Sequence, residues 1–135
     1  MARIGDVQSY VLVLVSRGVR SFREVVETLH RFSIPKSSIY TAIDELARRG
    51  LIVRRGDRIE LSDAGREMLS LAMQSIVRKV KELTLALKLV EAEFVDSETL
   101  SMLDPDTLQE LRARLEELMR VIDESLKSWK RIEVE

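Results

Sequence analysis

Apolar residues return at helical spacing along most of this chain, but between Leu51 and Leu61 they do not. That interruption constrains the fold more than any other feature. Leu51-Ile52-Val53 is short and mostly β-branched. Gly56-Asp57 suits a two-residue hairpin turn, with glycine where a type II′ turn needs positive φ. Such a turn sets the register: Arg55 opposite Arg58, Arg54 opposite Ile59, Val53 opposite Glu60, Ile52 opposite Leu61. One face then carries Ile52, Ile59 and Leu61, with Arg54 at its rim, and the other carries Val53, Arg55, Arg58 and Glu60. An isolated two-stranded hairpin is marginal in water, so its apolar face needs the neighbouring helices.

Three short helices are expected before the hairpin. Val7, Tyr10, Val11 and Leu14 define the first, over 6–17, with Arg17 in its last turn and Gly18 as its stop. Ser21-Phe22-Arg23-Glu24 fits a capping box, and Phe22, Val25, Val26 and Leu29 give a second helix over 22–31. After the short link Phe32-Ser33-Ile34-Pro35, with Pro35 at a first helical position, a third helix runs to about Arg49. Its stripe is Ile39, Ala42, Ile43 and Leu46, and Gly50 ends it.

After the hairpin, Ser62 and Asp63 begin a long helix. Leu69, Met73, Ile76, Val80, Leu83, Leu87, Val90 and Phe94 form a heptad seam along it, widened by Leu85 and Leu89. Residues 96–104 read as a connection. Asp104-Pro105-Asp106 starts another helix, with Leu108, Leu111, Leu115, Leu118 and Ile122 on one stripe, continued by Leu126 and Trp129.

The net charge of −1 hides an asymmetry. Residues 1–66 hold 12 Lys/Arg against 8 Asp/Glu, and residues 67–135 hold 10 against 15. A basic first half and an acidic second half point to two jobs. There are no cysteines, which excludes disulfides and thiolate metal sites. No uncharged apolar run of spanning length occurs, and no small-residue cleavage site follows the Tyr10–Val15 patch, so the chain reads as cytoplasmic with no membrane partner. Absent asparagine with abundant Arg and Glu is a compositional hint of a thermophile.

Enzymatic chemistry finds little support. His30 is the one histidine, the serines have no matching His/Asp constellation, and no glycine-rich phosphate loop occurs. No catalytic residue, cofactor or metal site is expected. Asp104 and Asp106 are explained by helix capping.

Helix, helix, helix, hairpin is the winged helix-turn-helix plan. The stretch "SSIYTAIDELARRGLIVRRGDRIELSDAGREML" resembles the matching part of the PadR family of transcriptional regulators. Tyr40, Ile43, Leu46, Gly50-Leu51-Ile52, Leu61-Ser62, Gly65 and Leu69 carry the likeness. MarR-type regulators share much of this pattern. Ser21-Phe22-Arg23-Glu24 departs from the PadR Gly-Tyr-Glu segment, and Asp44 and Glu45 stand where basic residues are common. The resemblance implies a repressor-like DNA-binding protein, dimerised through its C-terminal helices, with Tyr40 contacting DNA.

The residues themselves support a DNA reading. With the third helix's stripe turned inward, Ser37, Thr41, Asp44 and Arg48 lie outward, flanked by Ser38 and Tyr40. Small hydroxylated leading turns suit a helix end that enters the major groove, and Lys36 with the helix N-terminus favours a phosphate. Asp44–Arg48 and Glu45–Arg49 are expected to pair and orient the arginines. Arg54, Arg55 and Arg58 cluster at the hairpin tip, and a phosphate would relieve Arg55 facing Arg58. The blander alternatives are a solvated helix face and a hairpin edge guarded by charge.

The expected fold is mainly α. A winged helix-turn-helix with a short two-stranded wing, residues 1–66, precedes two long C-terminal helices, residues 67–135, forming a coiled-coil dimerisation hairpin. The dimer contacts are Leu69, Met73, Ile76, Val80, Leu83, Leu87, Val90, Phe94, Leu111, Leu115, Leu118 and Ile122. The expected function is regulation of transcription, as a repressor on a pseudo-palindromic operator. The alternatives are a winged-helix protein–protein module of a larger assembly, and a sensor with a small-molecule effector between wing domain and helices.

Overall fold

The computed structural model describes residues 4–93 and 96–134, the last five as backbone only. The chain divides into two compact units, Met1–Leu85 and Ala86–Glu135.

In the first unit, α1 spans Asp6–Ser16, α2 Phe22–Arg31 and α3 Lys36–Arg48. All three end in the same way. The residue after each C-cap takes positive φ: Gly18 at 104°, Ser33 at 65° and Gly50 at 73°. Its N–H and the next one turn back onto the last helical turn, as in Ser33 N–H to His30 O (3.0 Å) and Ile34 N–H to Leu29 O (3.4 Å). Val19 N–H to Leu14 O and Leu51 N–H to Leu46 O, at 3.1 and 2.9 Å, repeat the pattern. These are Schellman closures, each placing one apolar residue beside another. Ser33 adopts the left-handed backbone that glycine holds at the other two ends.

Strand β1, Ile52–Arg55, pairs antiparallel with β2, Arg58–Leu61, in the expected register. Gly56 has φ 61° and Asp57 does not have positive φ, as a type II′ turn requires. The stripe of α3 is buried as spaced, that of α2 is buried at Val25, Val26 and Leu29 with Phe22 half-buried, and Leu12, Ile39, Ile43, Leu46 and Ile59 are fully enclosed. Each such side chain contributes about 1.5–3 kcal/mol on leaving water.

Helix α1 departs from its expected stripe. Val11, Leu12, Val13 and Val15 are all buried, with Val7, Tyr10 and Leu14 half-buried. A helix apolar on nearly all sides is a central helix, and α1 packs against α2, α3 and β2. Pro35 also differs: ψ 139° keeps it outside α3, which begins one residue later.

The long helix expected from Ser62 is interrupted once. Helix α4 spans Asp63–Glu67, and α5, Leu69–Glu93, follows after Met68. Ser62 caps α4 by accepting from Gly65 N–H at 3.0 Å. The first unit extends past Arg66 because Ala72 and Ser75 of α5 are buried in it. Leu69 and Ile76, expected on the dimer seam, are half-buried against this same core. Their spacing fits both faces, and the wing domain's apolar surface is covalently close. Lys79 Nζ lies 3.2 Å from Asp6 Oδ2, a further tie between α5 and α1.

The second unit holds the end of α5, a short α6, Ser97–Leu100, and α7, Pro105–Val134. Asp96 caps α6 and Asp104 caps α7, with Pro105 at the first helical position. Leu108, Leu115 and Leu118 are half-buried, while Leu111, Ile122, Leu126 and Trp129 are exposed. Phe94 lies outside the described residues.

Gly65 makes the closest approach in the first unit. A Cβ there would stand 2.0 Å from the Leu51 carbonyl oxygen, which is backbone and cannot swing aside. Gly65→Ala is expected to cost about 1–3 kcal/mol by overpacking, read as a lower melting temperature in circular dichroism. An unchanged melt would show that α4 does not seat against Leu51.

Candidate nucleic-acid interface

Helix α3 turns its apolar stripe wholly inward, which leaves Lys36, Ser37, Ser38, Thr41, Asp44 and Arg48 exposed. No side chain caps its N-terminus. Its leading N–H groups are therefore open to an acceptor from outside. Thr41 Oγ donates to Ser37 O at 2.9 Å, which keeps the hydroxyl against the helix. Arg48 has no ion-pair partner among the described residues, so the expected Asp44–Arg48 pair does not form. Glu45 and Arg49 do not meet either. Gln8 of α1 stands between them, its Nε2 donating to Glu45 at 2.5 Å and its Oε1 accepting from Arg49 at 3.2 Å. The polar amide from α1 replaces the i,i+4 contact because α1 packs directly beside α3.

The wing sorts its arginines by strand alternation. Arg55 and Arg58 are opposite one another on the outer face. Arg58 Nε lies 2.9 Å from Glu60 Oε1, so part of the expected repulsion is answered within the wing. Arg55 has no acidic partner among the described residues. Arg54 points the other way. Its guanidinium carbon sits 3.8 Å above the centre of the Phe22 ring, and its Nε donates to Gly56 O at 3.2 Å. Phe22 in turn stacks on Tyr40, with centroids 5.7 Å apart and planes 18° apart. Tyr40 and Arg54, both expected at DNA, thus end a three-layer stack that joins α3, α2 and the wing. Such a cation–π contact contributes about 0.5–1 kcal/mol at an exposed site.

Sequence reasoning missed Asp57. Its carboxylate accepts from Ser21 Oγ–H at 2.6 Å and from Arg23 N–H at 3.2 Å. Its carbonyl accepts from Phe22 N–H at 2.6 Å, and Ile59 N–H donates to Arg20 O at 2.7 Å. Residues 20–22 thus lie against β2, bridged at Ser21 and Arg58. The capping box is correspondingly weak. Ser21 Oγ is 3.4 Å from Glu24 N, because its proton is directed at Asp57. An acid beside a turn glycine and a serine opening an arginine-bearing helix were the signals, and they lie 36 residues apart.

These hydrogen bonds, Ser21's foremost and then Arg23's, hold the Asp57 carboxyl below its ordinary value, and the charges of Arg23 and Arg54 act in the same direction. His30 meets Ile34 O through Nδ1 at 3.1 Å, across the turn between α2 and α3. Because a carbonyl only accepts, Nδ1 carries the proton there. Among the described residues no cluster of three His, Cys, Asp or Glu is placed to hold a metal ion, and no helix is long and apolar enough to cross a membrane.

An apolar groove of about 430 Å³ opens on the first unit, lined by Tyr10, Val13, Leu14, Leu29, Phe32, Ile34 and Ile76. It lies where α1, the end of α2 and α5 meet.

No protein-family model matches the sequence, and no curated protein matches it. Solved structures do resemble it. ZitR of Lactococcus lactis is 17% identical, with 88% of this chain and 79% of that one covered and a TM-score of 0.50. A point mutant of ZitR gives 17%, 87%, 77% and 0.52 in the same order. The transcriptional regulator BldR of Sulfolobus solfataricus gives 20%, 82%, 75% and 0.49. AdcR, described as a zinc-dependent MarR-family transcriptional regulator, gives 17%, 87%, 77% and 0.46. At such identities the likeness to ZitR is one of fold: a winged helix followed by long helices. The neighbours include proteins described as transcriptional regulators.

A folded pKa below the unfolded one means that the Asp57 contacts stabilise the protein above the usual carboxylate range. That contribution is lost as pH falls through the depressed value. Asp57→Ala is expected to melt below wild type near neutrality, and the gap is expected to close below about pH 4. Parallel melting curves measured across that range would contradict it.

Proposed function

We propose that the chain is a sequence-specific double-stranded DNA-binding transcriptional regulator, a repressor acting as a homodimer on a pseudo-palindromic operator. One observation carries this reading above all. An uncapped α3 N-terminus with exposed Lys36, Ser37, Ser38 and Thr41 shares its surface unit with a wing whose outer face carries Arg55 and Arg58. Open N–H groups and hydroxyls suit base edges and phosphate, and the wing arginines suit backbone phosphates beside the groove. Arg48, without an acidic partner among the described residues and on the same outward line of α3, adds a fourth cation. Tyr40 and Arg54 support this surface through their stack and touch DNA only at its edge.

The PadR-like residues do not select a subfamily. Gly50 closes α3 and Gly65 clears the Leu51 carbonyl, which any winged helix of this plan requires. The reading therefore rests on a winged-helix regulator, with PadR-like and MarR-like forms as its two candidate groups.

The dimer reading rests on unburied apolar seams. Val80, Leu83, Leu87 and Val90 of α5, and Leu111, Ile122 and Leu126 of α7, are each at least 39% exposed and recur at heptad spacing. A second copy of the chain would cover them, with Met73, Leu115 and Leu118 at their margins. The groove at Tyr10, Phe32 and Ile76 favours an apolar small molecule as effector, seated where α5 leaves the wing domain.

Duplex binding measured by fluorescence anisotropy over a salt series is the test of the first proposal. Affinity should fall steeply with salt. The double variant Arg55→Ala/Arg58→Ala should weaken binding and reduce the slope of log K against log salt by about 2. Salt-independent binding, or an unchanged double variant, would leave the protein–protein module as the better reading. Light scattering at micromolar concentration should give twice the chain mass; a monomer would remove the dimer.

A further inference from the structure

Two links span the gap between the wing and the start of α2. The first is the Asp57 carboxylate on Ser21 Oγ–H and Arg23 N–H, flanked by the backbone bonds Phe22 N–H to Asp57 O and Ile59 N–H to Arg20 O. The second is the Arg54–Phe22–Tyr40 stack, which runs from β1 through α2 to α3. Phe22 belongs to both, through its N–H in one and its ring in the other. A hinge between wing and α3 would have to break both links. At the joint between α2 and α3, Ser33 N–H donates to His30 O, and the His30 ring meets the Ile34 carbonyl.

We propose that Asp57 is a positioning residue for DNA binding: it clips the wing to the α2 N-terminus and so holds Arg55 and Arg58 at a set distance from α3. This rests on the DNA-binding reading above. Asp57 is not a DNA contact, since a carboxylate repels phosphates. Its value lies in prepaying the ordering of a two-stranded wing that would otherwise be marginal and would lose entropy on binding. The clip also fills the α2 N-terminus with the protein's own anion, whereas the α3 N-terminus has no side-chain cap.

The sign of one substitution separates this role from a purely electrostatic one. Asp57→Ala removes a negative charge near the duplex and also opens the clip. If charge alone mattered, both Asp57→Ala and Asp57→Asn would bind DNA more tightly. If Asp57 positions the wing, Asp57→Ala should bind about tenfold more weakly, while Asp57→Asn, whose amide oxygen can accept from Arg23 N–H and whose amide NH2 can donate to the Ser21 hydroxyl oxygen, should return to within a few-fold of wild type.

Amide hydrogen exchange on the full chain supplies a readout independent of DNA. In Asp57→Ala the Arg23 and Ile59 amides should exchange faster while the buried Leu46 amide keeps its protection. Faster exchange at the seam with unchanged or tighter DNA binding overturns the proposal. So does an unchanged seam. Should Leu46 also lose protection, Ser21→Ala, which removes the hydroxyl donor to Asp57 together with the long cap contact to Glu24 N–H and leaves the Asp57 carboxylate in place, replaces Asp57→Ala in the same comparison, and unchanged binding there overturns it too. If wild type itself shows no salt-dependent duplex binding, the DNA reading fails on its own, and the exchange data still decide whether Asp57 holds the wing.

Discussion

The backbone at Gly50 and Leu51 is where the first unit is joined. Leu51 N–H closes α3, and Leu51 O accepts from Ser62 N–H at 3.1 Å. Ser62 Oγ–H donates to Gly50 O at 2.5 Å, and Gly65 lies against the same Leu51 carbonyl. Three hydrogen bonds thereby satisfy six polar groups at a point where two helices and two strands converge. Both ends of the hairpin are pinned to one another and to the end of α3. The wing's direction, the start of α4 and the outward aim of α3 all depend on this knot, which leaves no room for a Cβ at position 65.

Charge is distributed according to what each face must do. Strand alternation sends Arg54 inward onto an aromatic ring and Arg55 and Arg58 outward. The inward arginine spends its cation on packing, and the outward pair keeps its charge in solvent. Glu60 tempers Arg58, Gln8 holds Arg49 beside Glu45, and Asp57 neutralises the α2 start. Lys36 and Arg48 on α3 and Arg55 on the wing have no acidic partner among the described residues. A net charge of −1 conceals this, because the acidic residues concentrate in the C-terminal helices, where Glu110–Arg114, Arg112–Glu116 and Glu117–Arg120–Glu124 pair along exposed turns.

Much of the fold was legible in advance where its cause is local. The spans of α2 and the hairpin register follow from a stripe and a turn dipeptide, each decided within a few residues. The Asp104 cap and Pro105 start of α7 are equally local. The candidate surface on α3 was legible for the same reason: burying Ile39, Ala42, Ile43 and Leu46 leaves only one set of residues outside. Three things were not legible. The Asp44–Arg48 and Glu45–Arg49 pairs were reasonable for an isolated helix, but α1 brought Gln8 into the same space. Tyr40 was given a DNA contact or a packing role, and that Phe22 would be the ring it packs on was not readable. Leu69 and Ile76 sat on a clean heptad, yet the wing domain's own core takes part of their surface.

The sequence by itself determined the span of α2, the capped start of α7, the two-residue turn, the strand register, and which side chains of α3 had to turn inward. These are set by backbone sterics and by periods of 3.6 and 2 residues, which neighbouring residues impose on one another. Only the tertiary structure decided the partners of the polar groups left over: Asp57 with Ser21, Gln8 with Glu45 and Arg49, and Arg54 with Phe22. Those partners lie more than 30 residues apart, and several acceptors of similar chemistry were available to each. The choice fell to whichever group the packed core carried within hydrogen-bond reach.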